Sequence, residues 1–175
     1  MSFLGRIFGS GAKERARFEP LYHALVAAGR DRAWYAEGAV PDTVEGRFDM
    51  IAAILAVTLI RLEAEGAAAR QASVLLAELF IADMEGSLRQ MGTGDLMVGK
   101  HLGKMMGALG GRLGAFRAAI AAGGDLSAPV ERNIFHDAPP SPEALRFVAE
   151  RLGVFAGALA ATPAEAILDG RVPAR

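Results

Sequence analysis

The chain has 175 residues, 52% of them hydrophobic and 22% charged, with a formal net charge of −1 and no cysteine. That length suits one domain with a real core. The balanced charge leaves no global field for nucleic acid, so no specific DNA binding is expected. The lack of cysteine excludes disulfides, thiolate metal sites and a cysteine nucleophile. Mean hydropathy is high at +0.26, but much of it comes from alanine. The most apolar stretch, LGVFAGALAATPA, is about 13 residues long, contains a proline and lies between Arg151 and Glu165, too short to span a bilayer.

In chain order, the opening MSFLGRIFG is not followed by a long apolar core or a small-residue cleavage site, so no secretory signal is expected. Phe3, Leu4, Ile7 and Phe8 fall on one side of a short helix, and the first acid is Glu14. Two readings stand: a membrane-surface segment with Arg6 and Lys13 toward lipid phosphates, or a terminus tucked onto the core. Residues 1–14 are accordingly set apart as a flexible or membrane-surface segment, and 15–175 as the helical domain.

The rest of the pattern is helical, with no convincing strand. Pro20 is expected in the first turn of a helix ending near Ala28. DRAWYAEG reads as a short helix stopped near Gly38. Asp42 is the expected cap of the next helix, with Glu45 completing a capping box; that helix runs to about Glu65. Another covers about 67–91 and stops at Gly92. Asp95 is expected to cap a helix of about 27 residues ending at Gly123–Gly124. APVERNIFH is a short helix or turn. Ser141 caps a helix with Pro142 at its first position, running to about Ala161. Thr162-Pro163-Ala164-Glu165 repeats that cap logic for a final short helix. The expectation is an all-α, single-domain bundle of about 6–8 helices.

Some charges do not fit their faces. The helix of 43–65 is apolar almost all round, so it should lie centrally, yet Arg47 and Asp49 point in nearly opposite directions from its first turns. Asp83 falls inside the arc of Leu76, Leu79 and Phe80, and a buried carboxylate needs a partner. Arg47 is the first expected partner and Arg112 the second, so Arg47, Asp49, Asp83 and Arg112 form the expected structural ion-pair set. Glu85 and Arg89 should pair on the surface, worth only ~0.3–0.5 kcal/mol.

The helix from Asp95 divides into three zones. Leu102, Met105, Met106, Leu109, Leu113, Phe116 and Ile120 make the core face. Gly99, Gly103, Gly107, Gly110, Gly111 and Gly114 form an adjacent strip. Lys100, Lys104, His101 and Arg112 are assigned to the far side. Each glycine costs a helix ~1 kcal/mol against alanine, so the strip implies close approach of another backbone. That backbone is either a neighbouring helix of this domain or a foreign helix entering an open groove. His23, His101 and His136 have no metal-ligand spacing, and no phosphate loop follows a strand. No catalytic residue, metal or cofactor is assigned.

The blocks VPDTVEGRFDM, LFIADMEGSLRQMGTGDLMVGK, GGRLGAF and ERNIF, in that order, resemble the ubiquinol–cytochrome c chaperone family. The likeness covers about residues 15–160. It implies a non-enzymatic assembly factor for respiratory complex III that holds newly made cytochrome b, or its nascent chain, with a small partner protein. Without a long mitochondrial presequence the chain looks like a bacterial member, cytoplasmic, at the inner face of the cell membrane and in peripheral contact with it. The expected partner-binding surface is Met91, Gly94, Asp95, Leu96, Met97, Lys100 and Lys104, since methionines adapt to varied apolar partners. The alternative is a carrier or enzyme with an internal apolar pocket for a quinone or haem. A third reading is a structural adaptor whose glycine strip is internal packing. A deep cavity with a convergent polar group favours the carrier; a broad surface groove favours the chaperone.

Overall fold

The computed structural model describes residues 3–90, 92, 94–136 and 138–173, with side chains for these apart from 3–13, 67, 68, 95 and 96. Its described elements are all helical: α1 (Phe3–Gly29), α2 (Arg32–Ala36), α3 (Val44–Glu63), α4 (Ala67–Gln90), α5 (Asp95–Ala121), α6 (Ser127–Val130), a π-helical turn (Glu131–Phe135), α7 (Pro142–Ala161) and α8 (Ala164–Leu168). The all-α expectation holds.

Helix α3 is the axis of the bundle. It packs against α1, α4, α5, α7 and the π-helical turn. An unbroken run from Asp49 to Leu59 is buried, as expected of a helix apolar on every side. Thr58, in that run, satisfies its hydroxyl by donating to the Ile54 carbonyl at 2.9 Å.

Several caps differ from the expectation by one residue. Thr43, rather than Asp42, caps α3; its Oγ1 accepts from the Gly46 amide at 3.1 Å. Asp42 instead accepts from Arg47 Nε at 2.7 Å. Pro20 is not in a first turn: α1 runs straight through it, losing only the one amide donor that proline lacks. Ser141 caps α7 as expected, accepting from the Ala144 amide at 3.2 Å. Thr162 does not cap α8; it closes α7, its hydroxyl donating to the Ala158 carbonyl at 2.8 Å, and Pro163 precedes α8 with no side-chain cap.

The entry to α3 is tight. A Cβ added at Gly46 would lie 2.0 Å from the Pro41 carbonyl oxygen, a clash with backbone that no rotamer relieves. Gly46→Ala should destabilise the chain by ~1–3 kcal/mol. Thermal melting checks this; an unchanged midpoint would contradict the packing at the turn.

Candidate functional site

The hairpin between α4 and α5 is built by two glycines. Gly92, at φ +80°, stops α4, its amide donating to the Arg89 carbonyl at 3.0 Å. Gly94 is the N-cap of α5, where its carbonyl accepts from the Met97 and Val98 amides at 2.9 and 3.0 Å. Asp95 is therefore the first helical residue and not the cap, because the extended backbone falls one residue earlier. Met91 and the side chains of Asp95 and Leu96 lie outside the described residues. So do the side chains of Phe3, Leu4, Ile7 and Phe8.

The inner face of α5 carries Val98, Leu109 and Phe116, all buried. Leu102, Met105, Leu113 and Ile120 pack on the core from its edges. Met106 does not join them: it is 39% exposed, and Met97 is 45% exposed. Lys100 and Lys104 are exposed as well. His101 turns its Nδ1 back to the Met97 carbonyl at 2.9 Å.

The glycine strip faces outward. A Cβ added at Gly99, Gly103, Gly107, Gly110, Gly111 or Gly114 would meet nothing within 4 Å. The expected neighbouring helix of the same domain is not there; no described part of the chain covers the strip. One side of α5 is thus a bare, nearly flat surface of glycine and alanine, bordered by two methionines and two lysines.

Arg112 overturns its assignment to the far side. It is 2% exposed, at the edge of the core face about two turns on from Met105. There it forms an ion pair with Asp49 of α3, and its Nη2 also donates to the Asn133 carbonyl of the π-helical turn at 2.8 Å. His136 completes the group with Nε2 at 2.8 Å from Asp49 Oδ2. His136 sits at φ +49°, a backbone region that non-glycine residues enter only when held by surrounding contacts. The guanidinium lies 5.4 Å from the Phe48 ring centroid, and Phe48 stacks on Phe80 at 5.4 Å. Arg112 Nε and Nη1 have no hydrogen-bond partner among the described residues. Burial pushes the Asp49 carboxyl above its ordinary range, with Arg112 and then His136 pulling it back. Burial likewise lowers Arg112, opposed by Asp49.

Of the four residues expected to pair, only Asp49 and Arg112 meet one another. Asp83 is not bound to Arg47 or Arg112; it is half-buried and accepts from the Tyr22 hydroxyl at 2.8 Å. Arg47 is exposed with Asp42. The physical reason is the helix itself. Arg47 and Asp49 are ~200° apart around α3, and in its first turns the Asp49 side is the one enclosed, against Arg112 of α5. Burial and the neighbouring carboxylate raise the Tyr22 hydroxyl well above its usual range, keeping it a donor. The Glu85–Arg89 surface pair is present at 2.9 Å.

A half-open cleft of about 290 Å³ lies beside the hairpin, between the end of α1, the start of α3, the end of α4 and α5. Phe48, Ile51, Met84, Leu88 and Met105 line it, with Arg30 and Arg47 also on its walls. Sequence reasoning missed the cleft. Periodicity marks Phe48 and Met105 as plain core, because it cannot show where four helix ends diverge. His136 reads from sequence as a surface or cap residue; nothing in its spacing points to Asp49, 87 positions away.

Against known proteins, the ubiquinol-cytochrome C chaperone family model matches residues 36–174. The chain belongs to the ubiquinol–cytochrome c chaperone family. A solved structure agrees: the crystal structure of the Cbp3 homolog from Brucella abortus is 30% identical, with a TM-score of 0.80 over 97% of this chain and 95% of that one. Among curated proteins no significant match is found. The family match spans Asp49, the α4–α5 hairpin, the whole of α5 and His136. Among the described residues no helix is long and apolar enough to cross a membrane, and no cluster of side chains could hold a metal ion.

Proposed function

We propose that this member of the family is a non-enzymatic assembly chaperone that holds newly made cytochrome b, or a related membrane cytochrome subunit, on the outer face of α5 and the hairpin leading into it. The observation that carries the reading is the uncovered glycine strip. Gly99, Gly103, Gly107 and Gly111 recur every fourth residue on one face, the spacing that lets two helix backbones approach closely in lipid-soluble helices. A membrane cytochrome is made of such helices. Met97 and Met106 border the strip with adaptable apolar contacts. Lys100 and Lys104 give it a positive rim that steers an acidic loop or headgroup-level segment. The broad open face supports a binding protein over a carrier that encloses a quinone or haem.

On the same reading the chain works at the cytoplasmic face of the membrane, where its client is inserted. Residues 3–8 would supply the peripheral contact, and a small partner protein would share the client. Holding, rather than chemistry, is the activity.

Two sets of variants test the surface. Gly103→Ala with Gly107→Ala should stabilise α5 by ~1 kcal/mol each, since space is free; Gly103→Leu with Gly107→Leu should fold but obstruct a docking helix. Lys100→Glu with Lys104→Glu should leave stability within ~0.5 kcal/mol and weaken capture, most at low ionic strength. The measurement is melting temperature alongside cytochrome b co-purified from the native membrane fraction before it contains haem. Undiminished capture by both the leucine and the glutamate variants would remove this face from consideration.

A further inference from the structure

We infer that the cleft beside the hairpin is a separate binding site for one acyl chain of an anionic amphiphile, its tail on the apolar floor and its carboxylate or phosphate between Arg30 and Arg47. The floor is strictly apolar: Phe48, Ile51, Met84, Leu88 and Met105. Ile51, Met84 and Leu88 are buried, while Phe48 and Met105 are half-buried and reach into the opening. Among the described residues the polar lining consists of Arg30, Arg47, Ser87 and Gln90, with no carboxylate. Such a wall selects an anion by charge and then offers it neutral hydrogen-bonding groups.

The arginines have capacity to spare. Arg47 meets Asp42 through Nε alone, leaving its Nη groups for a second anion. Arg30 is exposed and enters no ion pair among the described residues.

Size decides between ligand classes. A volume of about 290 Å³ stands at the bottom of the ~300–1,000 Å³ typical of small-molecule sites. One acyl chain fits; a tetrapyrrole does not. An extended peptide would need hydrogen-bond partners along its length, and here the floor offers none. Two flexible thioethers, Met84 and Met105, suit a tail of variable shape. The shared chemistry is an anionic head on an acyl chain, and its source is either a free fatty acid or one tail of a lipid at the bilayer surface.

The test uses the full chain carrying methyl-labelled methionine, titrated with dodecanoate below its micelle concentration. Dodecyl maltoside serves as the neutral-headed control, and sedimentation with phosphatidylglycerol or phosphatidylcholine vesicles as the bilayer arm. Dodecanoate should shift the Met84 and Met105 methyl signals. Arg30→Gln with Arg47→Gln should weaken its binding about tenfold or more without lowering the melting temperature, both residues being exposed. Arginine-dependent sedimentation with phosphatidylglycerol vesicles would assign the bilayer as the source; arginine-dependent dodecanoate binding without sedimentation would assign the free acid. The inference is overturned if the methyl signals stay in place, if the maltoside binds as tightly as dodecanoate, or if the arginine variant binds like wild type. It is also overturned if that variant loses cytochrome b capture while dodecanoate leaves the methyl signals unmoved, which would make the cleft part of a protein interface. The α5 variants above leave the cleft intact, so either reading can fail alone.

Discussion

Asp49→Ala is expected to lower the unfolding free energy by ~3–5 kcal/mol, because it leaves the Arg112 guanidinium buried without its counter-ion. Both partners are almost wholly enclosed, with side-chain exposures of 2% and 6%, so water cannot take over the missing charge. Two Arg112 nitrogens already lack partners among the described residues. Losing the carboxylate leaves the Asn133 carbonyl as the remaining acceptor described for this group. At this chain length such a loss lowers the melting temperature by about 10 °C. Replacing the pair together, as Asp49→Leu with Arg112→Met, should recover most or all of the loss, since an apolar pair avoids the desolvation of both ions. Urea unfolding of the two variants beside wild type makes the comparison. A single variant as stable as wild type would show that the pair is not enclosed.

The same carboxylate has a pH signature. Burial raises its native pKa above the ordinary 3.8, so over that interval the native state holds the proton more firmly than the unfolded chain. The contribution of this group to stability is complete below its unfolded value. It is lost as pH rises through the native one. In Asp49→Asn that declining component should be absent. Urea midpoints measured at a series of mildly acidic pH values, wild type against variant, give the difference; parallel curves would argue against a raised native pKa.

Trp34→Ala should cost ~3–5 kcal/mol. Trp34 is 2% exposed and ties α2 to the end of α1, its Nε1 donating to the Ala28 carbonyl at 2.8 Å. Tyr35 does the same for the Gly29 carbonyl at 2.9 Å. The two aromatic residues thereby donate to carbonyls of the last turn of α1, where the helix ladder runs out. Arg151 of α7 lies 4.9 Å from the indole centroid, so the side chain joins three helices. Trp34→Phe keeps most of the volume but leaves the Ala28 carbonyl with only the longer bond from the Asp31 amide at 3.4 Å, and should cost only ~1 kcal/mol. Equilibrium unfolding followed by far-ultraviolet circular dichroism separates the two. If alanine and phenylalanine cost the same, the lost hydrogen bond rather than the cavity sets the penalty.

The sequence by itself determined the helices, the central place of α3 and the family. Those features are local or cumulative. Apolar period, Ser141–Pro142 at a helix start and Gly92 at a helix end act through neighbours a few residues away, where chain connectivity already fixes the geometry. The caps that slipped by one residue, Thr43 for Asp42 and Gly94 for Asp95, did so because adjacent residues compete for a single backbone position. What only the tertiary structure decided is which inward-facing charges meet. Asp83 and Asp49 both sit in apolar arcs, and no spacing says that Tyr22 takes the first while Arg112 and His136 take the second. Those partners come from segments 61, 63 and 87 positions away, and the pairing follows from how the helices rotate about their axes as they pack. The glycine strip follows the same rule. Composition marks it as a place of close approach, but whether a helix of this chain already lies there is a property of the assembled bundle. In that bundle the described elements packed on α5 meet its opposite face.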